Sequence, residues 1–536
     1  FVGSPAQHPD EIFLVIYPLN FLSGDLNPYS FHKPTLHYYV LGLTYLTRFL
    51  ATVLSGSEWS LSQYAAYHYF WDNESLLLWA RMVGVAFAVG TVWCVWQLAR
   101  RIYGENTGVI SALLLAVSAL HVRQSPLAAV DVPMTFWFVC AVWAAVRLCS
   151  HDRVRDYLLA GALLGLAAGT KYPGAAAGVA VVGAHLLTGR RPWDKRLWLA
   201  GTAAAAVFLV STPYAVLDFG TFKTHLLFQA QHAQSGRVGI DRAWSYHLWT
   251  SLRHNIGVVG LLALPVALAL QVFRQQRMEV WVILCGFFAF LITVGWGHLA
   301  FMRYALPLAV LQVVLVSGLA ASVRAIKWRV LLVALIAVEP LYGSVRIAHL
   351  SGSTDTRTEA TTWIENNVPP GATCCNFGGW AGDPTVGTFA HHWWRMKTYA
   401  RSFGKEQLFN QIEFLNREKP LRPFFRYAVH PGNRENTAGD LNLVKNAGCA
   451  YVITHRHPLS YSTVDTTFHA QLPDYGKVVA RWSPVGLDEA DPEFDPADAY
   501  YVPVRSFGKL RQTGPQIEVW DVERFSASPA ETQTGN

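Results

Sequence analysis

From residue 76 to residue 343 the chain is laid out in long apolar stretches separated by short polar ones. Ten such stretches stand at 76–99, 108–122, 131–149, 156–170, 174–188, 198–216, 256–273, 279–296, 304–323 and 329–343. A segment that crosses a bilayer must satisfy its own backbone and needs about 20 mostly apolar residues. The pattern therefore predicts ten membrane-spanning helices, with two or three short enough to be tilted or partly embedded. Residues 35–54 are also apolar and offer an eleventh span, but the charge pattern below favours a helix lying along the interface.

Past residue 350 the pattern changes to that of a soluble α/β domain. Residues 361–367 read as a helix stopped by Pro369, Pro370 and Gly371, with a strand at 372–376. A helix at 440–447 and strands at 449–454, 478–482 and 517–522 follow, and the acidic, Pro-rich 485–499 reads as a loop. The predicted fold class is an α-helical polytopic membrane protein with a C-terminal soluble α/β domain. Three regions are expected: an outer loop with juxtamembrane helices at 1–75, a helix bundle at 76–345, and an outward-facing α/β domain at 350–536.

Composition agrees. Of 536 residues 52% are hydrophobic and only 15% charged, with 20 Trp and 22 Tyr, the rings favoured at membrane interfaces. These figures exclude a disordered, collagen-like or ordinary soluble protein. Residues 1–350 carry 25 Lys/Arg against 15 Asp/Glu, and the remainder 18 against 21. The basic excess does not point to nucleic acid, because 14 of those 25 cations lie in or beside five short connections that the positive-inside rule makes cytoplasmic. With ten crossings, residues 1–75 and the tail share the outer side. Cys94, Cys140, Cys149 and Cys285 sit in apolar runs and read as packing residues. A bridge from Cys374 or Cys375 to Cys449 is open.

Five polar motifs then fall on one side of the expected topology. Asp10 and Glu11 precede an apolar stretch, where a carboxylate can act as a general base or simply cap a helix. His32 and Lys33 stand just before the interfacial helix, and a Lys there can meet a lipid phosphate or merely snorkel. Arg123 follows one span and Asp131 opens the next. Lys171 and Tyr172 occupy a tight Gly-bounded turn, and His298, Arg303 and Tyr304 another span edge. Carboxylates and several cations beside lipid headgroups suit a phosphate-bearing lipid and an acceptor that must lose a proton. No metal motif is evident; His391, His392, His455 and His457 in the tail read as surface histidines.

The segments HPDE, FHKPTLHYY, RQSPLAAVDVPMTFWF, GLAAGTKYPG and FMRYALPL, in that order across about residues 8–310, resemble glycosyltransferase family 39 of the GT-C superfamily. That group includes protein O-mannosyltransferases and, close by, the aminoarabinose transferases of lipid A. The resemblance implies an inverting transferase of the bacterial inner membrane, its active site and tail extracytoplasmic. It would use a polyprenyl-phosphate sugar donor and a lipid, glycan or protein acceptor. Asp10, with Glu11 beside it, falls on the family's presumed base. Lys33, Arg123, Lys171 and Arg303 fall on positions implied to hold the donor phosphate, with His32, Asp131, Tyr172, His298 and Tyr304 lining the site. Thr35 stands where a second Pro is usual, and His32 where aminoarabinose transferases have Glu. The resemblance also implies a span before Phe1. No cofactor is expected, and a loosely held divalent cation on the donor phosphate is left open. The alternatives are a transporter or flippase of lipid-linked sugar, which calls for inverted repeats and charges at mid-membrane, and a non-catalytic membrane scaffold.

Overall fold

The computed structural model describes residues 10–522, apart from 71, 236–241, 276 and, in the C-terminal region, 379–383, 385, 387–395, 398, 408–409, 412–424, 430–438, 460–462, 485–491, 497, 499–500 and 509. His391 and His392 lie outside the described residues, as does most of the loop expected at 485–499. The chain forms two compact units, one of Asp10–Ser57 with Leu76–Ala348, the other including Glu58–Ser75 and the residues from His349 onward.

A helix stands at each of the ten apolar stretches of the first unit. After α1 (Glu11–Asn20), α2 (Leu36–Leu54) and α3 (Leu61–Phe70) come α4 (Asn73–Tyr103), α5 (Glu105–Ala116), the short α6 (Ala119–Gln124), α7 (Asp131–Leu148), α8 (Val154–Thr170), α9 (Ala177–Leu187) and α10 (Lys195–Ser211). Next are α11 (Phe219–His232), α12 (Leu252–Leu270), α13 (Met278–Gly295), α14 (Leu306–Ser322) and α15 (Ile326–Gly352). Six of the ten meet the length and hydropathy of a membrane span, which makes this a multi-pass membrane protein. The other four, α5, α8, α9 and α10, run 12, 17, 11 and 17 residues, shorter than a full span, where two or three short ones were expected. For α5 the causes are local. Gly104, at φ 97°, parts α4 from α5, and Ser118 takes the N–H of His121 to start α6. α2 is a regular 19-residue helix that falls outside the candidate spans.

In lipid the helices gain little from hydrophobicity and associate through close packing of small residues. α8 carries Gly161, Gly165 and Gly169 on one face, four residues apart, and α10 lies so close that a Cβ at any of them would collide with Ala200, Ala204 or Ser211. α12 is broken at Gly257, with φ +74°, and Glu339 of α15 restores the lost partners: it accepts from the Val258 N–H at 2.9 Å and from Arg253 at 2.6 Å.

The second unit closes on a five-stranded sheet of β1 (Thr373–Phe377), β2 (Arg426–Val429), β3 (Tyr451–Arg456), β4 (Lys477–Trp482) and β5 (Gln516–Asp521), in the order β2-β1-β3-β5-β4. β1 runs parallel to β2 and β3, with Cys375 opposite Val452, while β5 is antiparallel to β3 and β4. Four strands stand within two residues of the expected positions; β2 was not anticipated. One face packs Phe377, Val452, Phe468 and Trp520, the other Ile364, Cys374, Ile453 and Val519. The bridge left open in the sequence is Cys375–Cys449, and Cys374 is buried and free. α3 belongs to this unit: Tyr399 donates to the Ser62 carbonyl at 3.0 Å, and its ring lies 5.3 Å from that of Phe70.

Candidate active site

The first unit gathers charge at the ends of its helices. Asp10 opens α1, and the loop that follows α1 returns Lys33 to it, with Nζ 2.9 Å from the Asp10 carboxylate. The pair is accessible, at 37% side-chain exposure for Asp10 and 19% for Lys33. The loop is pinned from behind by Thr35, whose hydroxyl donates to the Ser211 carbonyl of α10 at 2.7 Å. That bond explains a hydroxyl at the position where the family resemblance has a second Pro: a Pro could not make it.

A second charge group centres on Asp131, at the N-terminus of α7. Lys171, at the end of α8, places Nζ 2.5 Å from Oδ1, and Arg303 lies 3.9 Å from Oδ2. Two cations on one carboxylate leave this buried group with a net positive charge. The close α8–α10 packing and the Lys171–Gly174 turn that follows α8 hold Lys171 in place. The ring of Tyr304 joins the two groups: Lys171 sits 4.0 Å above it, and Arg303, Asp131, Asp10 and Lys33 are all within electrostatic range of its hydroxyl. Tyr172 donates to the Phe31 carbonyl at 2.8 Å, tying the Lys171 turn to the Lys33 loop. Asp10, Lys33, Asp131, Lys171, Tyr172, Arg303 and Tyr304 therefore converge from positions up to 294 residues apart in the sequence.

Two further expected residues are fixed by neighbouring elements. Arg123 is buried on α6, whose neighbours include the Met302–Ala305 turn that bears Arg303. His298 is held by its backbone, N–H to the Ala233 carbonyl at 3.1 Å. Glu11 is different. It is fully buried, receives Arg81 in a two-pronged ion pair at 2.9 and 2.8 Å, and accepts the Ala128 N–H at 2.9 Å. A carboxylate with its oxygens so occupied holds α1 to α4 and to the α6–α7 loop, and so positions Asp10. Arg81 was not anticipated. Its signal in the sequence was a lone cation inside an apolar run, which is expensive in a membrane unless it has a partner.

His32 neighbours Lys33 but faces α11, a helix that the hydropathy pattern does not mark. Its ring stacks on His225 at 4.3 Å, and Gln229 lies 3.2 Å from its Nδ1. Burial and the nearby His225, Lys33 and His232 hold the His32 pKa below its usual value, so the ring is neutral near pH 7.

Residues 70–215, which include α4 to α10 and so Arg81, Arg123, Asp131, Lys171 and Tyr172, match the family model of dolichyl-phosphate-mannose-protein mannosyltransferase. ArnT from Cupriavidus metallidurans in the apo state superposes at a TM-score of 0.50 with 14% identity, covering 97% of this chain and 95% of that one. The chain shares the fold of ArnT, the GT-C fold. Other GT-C structures are also similar. ArnT bound to undecaprenyl phosphate gives a TM-score of 0.49 at 12% identity, over 98% of this chain and 96% of that one. The Archaeoglobus fulgidus oligosaccharyltransferase in complex with Zn and sulfate gives 0.46 at 13%, over 89% and 68%. No curated protein matches the chain.

Proposed function

We propose that this GT-C protein is an inverting glycosyltransferase that moves a sugar from a polyprenyl-phosphate donor to an acceptor hydroxyl on the extracytoplasmic face of a bacterial inner membrane. The observation that carries the reading is one accessible carboxylate, Asp10, paired with Lys33 beside the cationic Asp131–Lys171–Arg303 group. The family matched by residues 70–215 is described by a dolichyl-phosphate sugar, which supports a lipid-phosphate donor.

The chemistry follows from the groups. Asp10 takes the acceptor's O–H proton as that oxygen attacks the anomeric carbon of the sugar. The bond from that carbon to the phosphate oxygen breaks on the opposite face, which inverts the centre. The electron pair leaves on the lipid phosphate, and Lys33, Lys171 and Arg303 stabilise the charge that grows there. A phosphate leaves as a weak base, so one carboxylate suffices and no strong general acid is needed. Glu11 and Arg81 keep the Asp10 turn in position. Asp131 keeps Lys171 and Arg303 together and aimed without cancelling their joint charge. The disulfide in the second unit suits an oxidising compartment, which supports an extracytoplasmic tail.

The test is transfer by the purified full chain from synthetic polyprenyl-phosphate sugars to a panel of lipid, glycan and peptide acceptors, read by mass spectrometry. Formation of an α/β-inverted product together with free polyprenyl phosphate is expected. Movement of the intact donor across reconstituted vesicles with no product would replace the reading with a flippase.

A further inference from the structure

Helix α11 is bound to the loop that carries Lys33 by contacts outside the Asp10 and Asp131 groups. Asn27 donates to Asp218, the cap of α11, at 3.1 Å, and the Phe31 ring meets Phe222 edge-on at 5.8 Å. The Phe31 N–H donates to Nδ1 of His225 at 3.0 Å. On the next residue the His32 ring lies on His225, and its own Nδ1 accepts from the Gln229 amide nitrogen at 3.2 Å.

These two bonds settle the tautomers. A ring nitrogen that accepts an N–H carries no proton, so neutral His225 and neutral His32 are each protonated at Nε2. The stack thus presents two N–H donors on half-buried rings, with the His32 ring within electrostatic range of the Lys33 ammonium. Neither ring offers an acceptor there. A sugar hydroxyl is both donor and acceptor and is served by carboxylates and amides. A phosphate oxygen takes donors only, and donors to an ionised oxygen make the stronger hydrogen bonds.

We infer that His32 and His225 belong to the phosphate cradle, each donating Nε2–H to a non-bridging oxygen of the polyprenyl phosphate that Lys33 holds. The inference rests on the function proposed above and adds α11 to the donor site. It assigns a chemical reason for His at position 32: a Glu there would supply an acceptor and a negative charge where the imidazole supplies a donor.

Substitution separates binding from scaffolding, because Asn and Gln mimic different ring nitrogens. His225→Asn keeps an acceptor for the Phe31 N–H and leaves nothing at the Nε2 position. His225→Gln reaches the Nε2 position with an amide N–H. Binding of undecaprenyl phosphate to the full chain in detergent is expected to weaken roughly tenfold in His225→Asn and to stay within roughly threefold of the parent in His225→Gln, with unfolding midpoints alike. His32→Asn, which still accepts from Gln229, gives the same reading from the other side of the stack and serves if His225→Asn fails to fold. Equal binding by the parent and a folded Asn variant overturns the inference and leaves the proposed transferase standing. No binding of undecaprenyl phosphate by the parent overturns both.

Discussion

Asp10 and Glu11 are neighbours in the sequence and stand in opposite surroundings. Asp10 meets a lysine at a half-exposed edge, among groups that stay mutually reachable. Glu11, one residue on, is sealed with Arg81 and has no exposure at all. Removing a charge from an open pair alters what the protein can bind or deprotonate. Removing one from a sealed pair strands its partner in a medium that cannot solvate it. The adjacent acids therefore divide into an open pair and a sealed one, and the proposed reaction draws on Asp10 while Glu11 holds the fold.

The division can be broken from either side. The largest effect on activity is expected at Asp10. Next, Glu11→Ala is expected to lower stability by about 3–5 kcal/mol through the unpaired Arg81, seen as a lower unfolding midpoint and poor yield. The double change Glu11→Gln with Arg81→Met is expected to recover much of that loss and to transfer sugar. If the double variant folds as well as the parent but is inactive, Glu11 takes part in the reaction and the division is wrong. A smaller effect is expected at Lys33→Met, where donor binding weakens about 10- to 100-fold at low salt, as for loss of one charge-assisted contact to phosphate. Titration with undecaprenyl phosphate reads it directly, and an unchanged affinity would move the phosphate site elsewhere.

The helices were legible because lipid imposes a single rule, a long run of apolar residues, and each of the ten runs holds a helix. Their lengths were less legible, since Gly104 and Ser118 act through backbone geometry that hydropathy does not register. The site was legible as a set of residues but not as a set of partners. That Lys171 and Arg303 share Asp131, while Lys33 takes Asp10, depends on helix ends brought together by the α8–α10 glycine contact. Arg81 was hidden inside a span and Glu11 beside a better candidate. α11 was missed because its polar and apolar residues alternate too closely to read as a span, though His225 and Gln229 reach His32 from it. In the tail, β2 is four residues long, too short to carry a period of its own.

The most direct measurement compares the parent chain with Asp10→Asn for two quantities in one preparation: affinity for undecaprenyl phosphate and rate of sugar transfer. Asparagine keeps the shape of the side chain and cannot take the proton. Transfer is expected to fall about 10²- to 10⁴-fold, the range for a lost general base, while phosphate affinity holds or rises as Lys33 is freed. Transfer at the parent rate by a folded Asp10→Asn protein would contradict the account at its centre.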